Sequence, residues 1–171
     1  GYEDTNDSNY LRHDPIFKII CDKITQMGAE LLASQPTISR LENAITKQEI
    51  KRIRRFFVDK FLQSHLSNPE QIVLDIDGFD AYTHGHQQLS LFHGYYGHQI
   101  YFPVLINEAT SGYPLIVQLR AGNSHAGKGV LGLLRWLFWR LRKAWPDVKI
   151  ILRGDGGFSL PEIINLCEQK D

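Results

Sequence analysis

Ile72-Val-Leu-Asp-Ile-Asp-Gly-Phe-Asp80, with Thr83-His-Gly85 close behind it, decides how the rest of the chain is read. An aliphatic run leads into Asp75 and Asp77, two positions apart, and a strand turns both carboxylates to one face. Carboxylates are rarely buried without a partner. The pair therefore implies either an ion-paired structural element or a site where a cation or a proton completes it.

Downstream of this run the pattern alternates between strand and helix. Gln71 to Asp77 reads as the first strand, and His98 to Asn107 and Tyr113 to Arg120 read as two more, the last two joined by the hairpin signal Thr110-Ser-Gly112. Pro103 cannot donate to a ladder, so a bulge or one-sided pairing is expected there. Gly129 to Ala144 is helical and ends at Trp145-Pro146. Val148 to Arg153 is a short strand running into Gly154-Asp-Gly-Gly-Phe158, and Pro161 opens a last helix.

Upstream the chain reads as helices. Asp14-Pro15 caps a helix expected over 15–28, carrying Ile16, Ile19, Ile20 and Ile24, and a short helix starts at Thr37 after the break at Gln35-Pro36. Lys47 to His65 places Ile50, Ile53, Phe57 and Phe61 on one stripe, with Lys51, Arg52, Arg54, Arg55 and Lys60 mostly off it. That basic face is either solvated or in contact with phosphate. The expected organisation is a helical segment over 1–68 and an α/β segment over 69–171, in the order β-β-β-α-β-α.

Short turns pair the first three strands as an antiparallel meander. The strand-helix-strand unit must cross over, which lets the fourth strand lie parallel beside the first. Asp77 and Asp155 then emerge at one edge, at the carboxyl ends of their strands, where open α/β sheets bind ligands. The glycines around Asp155 are expected to open the approach to it. Two close carboxylates repel, and a hard divalent cation with oxygen ligands relieves that repulsion. Mg²⁺ suits such a site, with Mn²⁺ as a substitute, and the chemistry implied is phosphoryl transfer.

Composition narrows the classes further. The chain has 171 residues, 43% hydrophobic and 11% aromatic, which excludes a disordered or fibrous chain. Its 19 basic and 19 acidic residues cancel, so a nucleic-acid partner has to be met by local patches. Cys21 and Cys167 show no metal-ligand spacing and read as reduced, buried thiols in a cytoplasmic protein. No apolar run has the length of a membrane span. The opening Gly1-Tyr2 and the closing Gln169-Lys-Asp171 read as ends cut from a longer polypeptide.

Several separated motifs, in order, resemble bacterial insertion-sequence transposases of the DDE type. They are Leu74-Asp-Ile-Asp77 with Thr83-His-Gly85, Gly94-Tyr-Tyr-Gly97, Leu119-Arg-Ala-Gly-Asn123 and Arg153-Gly-Asp-Gly-Gly-Phe158, preceded by Tyr2-Glu-Asp4, Leu11-Arg-His-Asp-Pro15, Gln35-Pro-Thr37 and Ser39-Arg-Leu-Glu42. The resemblance implies a ribonuclease H-like core that cuts and joins DNA ends with a divalent metal. It places the first two catalytic carboxylates at Asp77 and Asp155. The third, a glutamate, is expected well downstream, and Glu162 and Glu168 lie too close to Asp155 to match it. The 171 residues therefore read as a fragment, inactive alone. Gly156 stands where a serine is common, and Ala81-Tyr82 where a proline is expected near Thr83.

Around this pair, Asp75 admits three roles: a metal ligand, a group that orients one, or an ion-pair partner of Arg153. Arg120, Asn123, Arg153, His84, Lys51, Arg54 and Arg55 are the candidate DNA contacts. His84, His86, His93 and His98 cluster in sequence but match no zinc spacing. Tyr95 and Tyr96 read as packing at strand edges, or as a platform for a frayed base. The partners expected are transposon ends and target DNA, with a homo-oligomer in the synaptic complex and no membrane. The alternatives are a non-catalytic DNA-binding or assembly remnant, and a stand-alone metal-dependent nuclease.

Overall fold

The structure, a computed structural model, describes residues 5–26, 30–83 and 87–169. The chain forms two compact units, residues 1–50 and 51–171, so the last turns of one helix belong with the downstream unit.

In the first unit a 3₁₀ turn (Thr5–Asp7) leads into the short helices α1 (Ser8–Leu11), α2 (Pro15–Ile20) and α3 (Gln35–Ala44), and α4 (Lys47–Gln63) begins there. The Asp14 carboxylate caps α2 as its sequence suggests, accepting from the backbone N–H of Ile16 at 2.8 Å and of Phe17 at 3.2 Å. The helix expected to reach residue 28 stops at Ile20, its isoleucines are exposed, and residues 27–29 lie outside the described residues. Its apolar stripe finds no face to bury against within six residues. Pro36, read as a break, sits in the first turn of α3, where its missing N–H costs nothing.

The second unit is built on a four-stranded mixed sheet. β1 (Gln71–Gly78) pairs antiparallel with β5 (Val104–Glu108), which pairs antiparallel with β6 (Pro114–Gln118). On its other side β1 pairs parallel with β7 (Lys149–Gly154), in the order β6-β5-β1-β7. A smaller sheet, β2-β4-β3, is made by β2 (Ala81–Tyr82), β3 (Leu91–His93) and β4 (His98–Tyr101).

The run expected as one strand over His98 to Asn107 is thus two strands in two sheets. Pro103 causes the break: without an N–H it leaves the ladder, and its carbonyl accepts from Phe79 N–H at 3.3 Å instead of forming a bulge within one strand.

One face of the larger sheet is dry. Ile72, Leu74 and Ile76 of β1 alternate inward and meet Val130, Leu134, Leu137, Phe138 and Leu141 of α5 (Val130–Ala144), with Ile163 and Leu166 of α6 (Pro161–Glu168). Each such side chain contributes about 1.5–3 kcal/mol. Val58 and Phe61 of α4 join this core, while Ile50 and Ile53, expected on the buried stripe, are about half exposed. The side of α4 that packs inward is that of Val58 and Phe61, with Phe57 half-buried. Arg54 turns in with it, and its Nη2 donates to Gln118 Oε1 at 2.5 Å.

Candidate active site

β1 leaves its odd-numbered residues on the face away from α5, so Asp75 and Asp77 share that face. In the parallel ladder Asp75 stands opposite Arg153, and Ile76 opposite Gly154. Asp77 and Asp155 each follow directly on that last pair, on strands about 4.8 Å apart.

Asp75 is the ion-pair partner of Arg153. Its two oxygens accept from Arg153 Nε at 2.7 Å and Nη2 at 2.8 Å, a two-pronged geometry. The hydrogen bond from Arg153 and its charge hold the Asp75 carboxyl below its ordinary range and raise the guanidinium in turn. Of the three roles left open for Asp75, the structure shows this one, and Arg153, a candidate DNA contact, spends its fork on it.

Asp77 and Asp155 form no ion pair with a basic side chain among the described residues. Asp155 has extended backbone and caps the 3₁₀ turn Gly156–Phe158, its Oδ1 accepting from Gly157 N–H at 2.9 Å. Only part of the glycine reading holds. A Cβ at Gly156 meets nothing, so that position is open. One at Gly154 falls 2.7 Å from the Ile76 side chain, and one at Gly157 falls 2.7 Å from Ala126 Cβ. Those two glycines permit close packing rather than ligand approach.

Near the pair is a residue that the sequence leaves between packing at a strand edge and a platform for a frayed base. Tyr96 sits in the turn between β3 and β4, its ring 5.0 Å from His93 and 6.0 Å from Phe102. Its phenol is pushed up, first by burial and then by Asp80, Tyr95, Asp77 and Asp155, so one hydroxyl feels both carboxylates. Phe102 fills the space over Gly78, where a Cβ would lie 2.9 Å from the ring, and so anchors this cluster next to Asp77. The signal was present as Gly94-Tyr-Tyr-Gly97, a tight turn that Gly97 closes with a left-handed backbone, but where that turn lies depends on the second sheet.

The remaining candidates divide. Arg120 acts as scaffold: Nε donates to the Phe102 carbonyl at 2.9 Å, Nη1 reaches the carbonyls of His125, Ala126 and Lys128, and the guanidinium lies over the Phe102 ring. Asn123 is exposed in the following turn. Lys51, Arg54 and Arg55 line a cavity of about 290 Å³ beside Trp136. His84 and His86 lie outside the described residues, while His93 and His98 face each other across β3 and β4. The Tyr82 phenol is pushed up by hydrogen bonding to Asp80 and by the charge of that carboxylate. Cys21, expected to be buried, is exposed at the end of α2.

Among the described residues no three His, Cys, Asp or Glu side chains converge on a common point. Glu168 lines a cavity of about 270 Å³ that Asp155 also borders. Among the described residues no helix is long and apolar enough to cross a membrane.

A mixed α/β sheet with two carboxylates at adjacent carboxyl ends defines the class of domain. The family model described as transposase DDE domain group 1 matches residues 1–171, and the chain belongs to that family. It is a family of transposases of the polynucleotidyl-transferase type, with DNA as partner. No curated protein and no solved structure shows a significant match to the chain.

Proposed function

We propose that this chain carries two of the carboxylates with which a DNA transposase cuts and joins DNA ends, Asp77 and Asp155, on a ribonuclease H-like core. The observation that carries this reading is their position one residue beyond the last pair of the β1–β7 ladder, with a single phenol feeling both. The donor set fits Mg²⁺ or Mn²⁺ in kind: both groups offer hard oxygens, and neither has a cation of its own among the described residues. A bound divalent ion would polarise the phosphate and lower the pKa of the attacking water or 3′ hydroxyl.

The residues of the chain supply position. The Asp75–Arg153 fork locks the two strands in register directly before the pair, and the Gly157 N–H orients one oxygen of Asp155. Tyr96 is near enough for both charges to act on its hydroxyl. Its hydroxyl stays protonated well above neutral pH, so it can donate to a phosphate oxygen. Asp75 thus supports the site instead of ligating metal, and Glu162 and Glu168 are left out of it. We place the protein in the cytoplasm, acting as an oligomer on transposon ends and target.

Calorimetric titration with Mn²⁺ tests the reading. Binding by the 171-residue chain should be lost in both Asp77→Asn and Asp155→Asn, and retained in Glu168→Gln. Undiminished binding in either aspartate variant refutes the assignment. Cleavage of DNA ends by the chain alone, at a sustained rate in Mg²⁺, would show that a third ligand lies within it.

A further inference from the structure

The helix layer on the opposite face of the sheet from Asp77 carries a second concentration of chemistry. A groove of about 600 Å³ runs between α5 and α6, floored by Phe138 and Leu166 and walled by Arg135, Trp139, Arg142 and Lys143. These four walls recur at positions 135, 139, 142 and 143, the spacing of a single helix face, and α5 contains no acidic residue. Arg140, on another face, is consumed in an ion pair with Asp59 of α4.

The helix dipole accounts for basic residues in the last turn, hence for Arg142 and Lys143. It does not account for Arg135 in the middle of α5, or for an indole left 57% exposed beside three cations. Lys143 Nζ stands 5.4 Å from the Trp139 ring, which holds the ammonium over the groove. Arg142 is half-buried and its Nε meets no acceptor among the described residues, so part of its desolvation cost is already met before any anion arrives. In a chain of net charge zero, such a face is complementary to a polyanion. From Arg135 to Lys143 the helix rises about 12 Å, at 1.5 Å per residue, which matches three or four steps of about 3.4 Å along one DNA strand.

We infer that this groove is a second DNA-binding surface, which tracks the phosphate backbone of a duplex without reading its sequence, on the face of the sheet opposite Asp77. The inference rests on the transposase reading, which makes DNA the polyanion at hand, and it adds a binding face on the reverse side of the sheet. Such a surface fixes the path of DNA flanking the reacting end, or holds a second duplex.

Fluorescence anisotropy on mixed-sequence duplexes from 50 to 300 mM salt tests it, with Arg135→Gln/Arg142→Gln/Lys143→Gln in the 171-residue chain and circular dichroism to verify folding. The slope of log affinity against log salt should become shallower by about 0.9 for each phosphate no longer neutralised, about 2.7 for all three. DNA should quench wild-type fluorescence more than that of Trp139→Phe. An unchanged slope in the folded triple variant overturns the inference. So does quenching of Trp139 by poly-glutamate as strong as by DNA at equal charge, which would assign the groove to an acidic protein. Mn²⁺ titration separates the two readings. Metal binding without a slope change sinks the groove alone, whereas a slope change without metal binding at Asp77 and Asp155 sinks the catalytic reading and leaves the groove.

Discussion

At Asp75 the carboxylate is held by both prongs of Arg153, and the consequence is a pH dependence of known sign. Its pKa is lower folded than unfolded, so the stabilisation is fully present above the ordinary carboxylate value, about 3.9, and is lost as pH falls through the folded value. Thermal unfolding from pH 6 down to pH 2 should therefore show wild type and Asp75→Asn converging below about pH 4; curves that stay parallel would mean the fork does not form in solution. Gly122 is a second site of constraint. A Cβ there would lie 2.1 Å from the carbonyl oxygen of Ile100 and 2.3 Å from that of Leu91. Backbone cannot yield as a side chain can, so Gly122→Ala should destabilise by about 2–4 kcal/mol, read by urea denaturation. The individual acids were legible because Asp75, Asp77 and Asp155 follow aliphatic runs. Tyr96 was not, since nothing local distinguishes a tyrosine that packs at a strand edge from one whose hydroxyl feels two carboxylates.

Among the elements, the β5–β6 hairpin depends most on one side chain. Glu108 is 5% exposed, and its Oε2 accepts from both the backbone N–H and the hydroxyl of Ser111 at 2.7 Å. Burial pushes its carboxyl up, but the bonds from Ser111 and Thr110 prevail and leave it below its ordinary value. Glu108→Ala should cost about 2 kcal/mol, measured by denaturant midpoint, with a smaller loss in Glu108→Gln. The strands of the larger sheet and α5 were readable from period and punctuation, whereas β2 and β3 are too short to show a period and were not read. What escaped was the division at Pro103, because a proline in an apolar run marks a bulge, an edge or a change of sheet equally well, and the choice depends on strands distant in sequence. The face chosen by α4 escaped for a related reason: Ile50, Ile53, Phe57, Val58 and Phe61 spread over more than one side of the helix, and the strands that select a side lie far off in sequence.

For the whole molecule, the two-unit organisation places the change at Ile50/Lys51 in space, whereas the change of periodicity falls near Pro69. Periodicity alone marks the second boundary, since α4 is helical yet lends Val58 and Phe61 to the core of the sheet. The length of the connection rules out a hairpin between β6 and β7 and so allowed β7 to lie parallel beside β1, which it does.

The larger sheet stops at β7, which has a strand beside it on one side only among the described residues. The Lys149 N–H reaches back to the Glu70 carbonyl at 3.0 Å, and a parallel ladder alternates. The amides of Lys149, Ile151 and Arg153 therefore face β1, while those of Ile150, Leu152 and Gly154 face outward. Deuterium uptake followed residue by residue should then be a comb, slow at the first three and fast at the others. Equal retardation at Ile150 and Leu152 would reveal a strand from another source laid along that border.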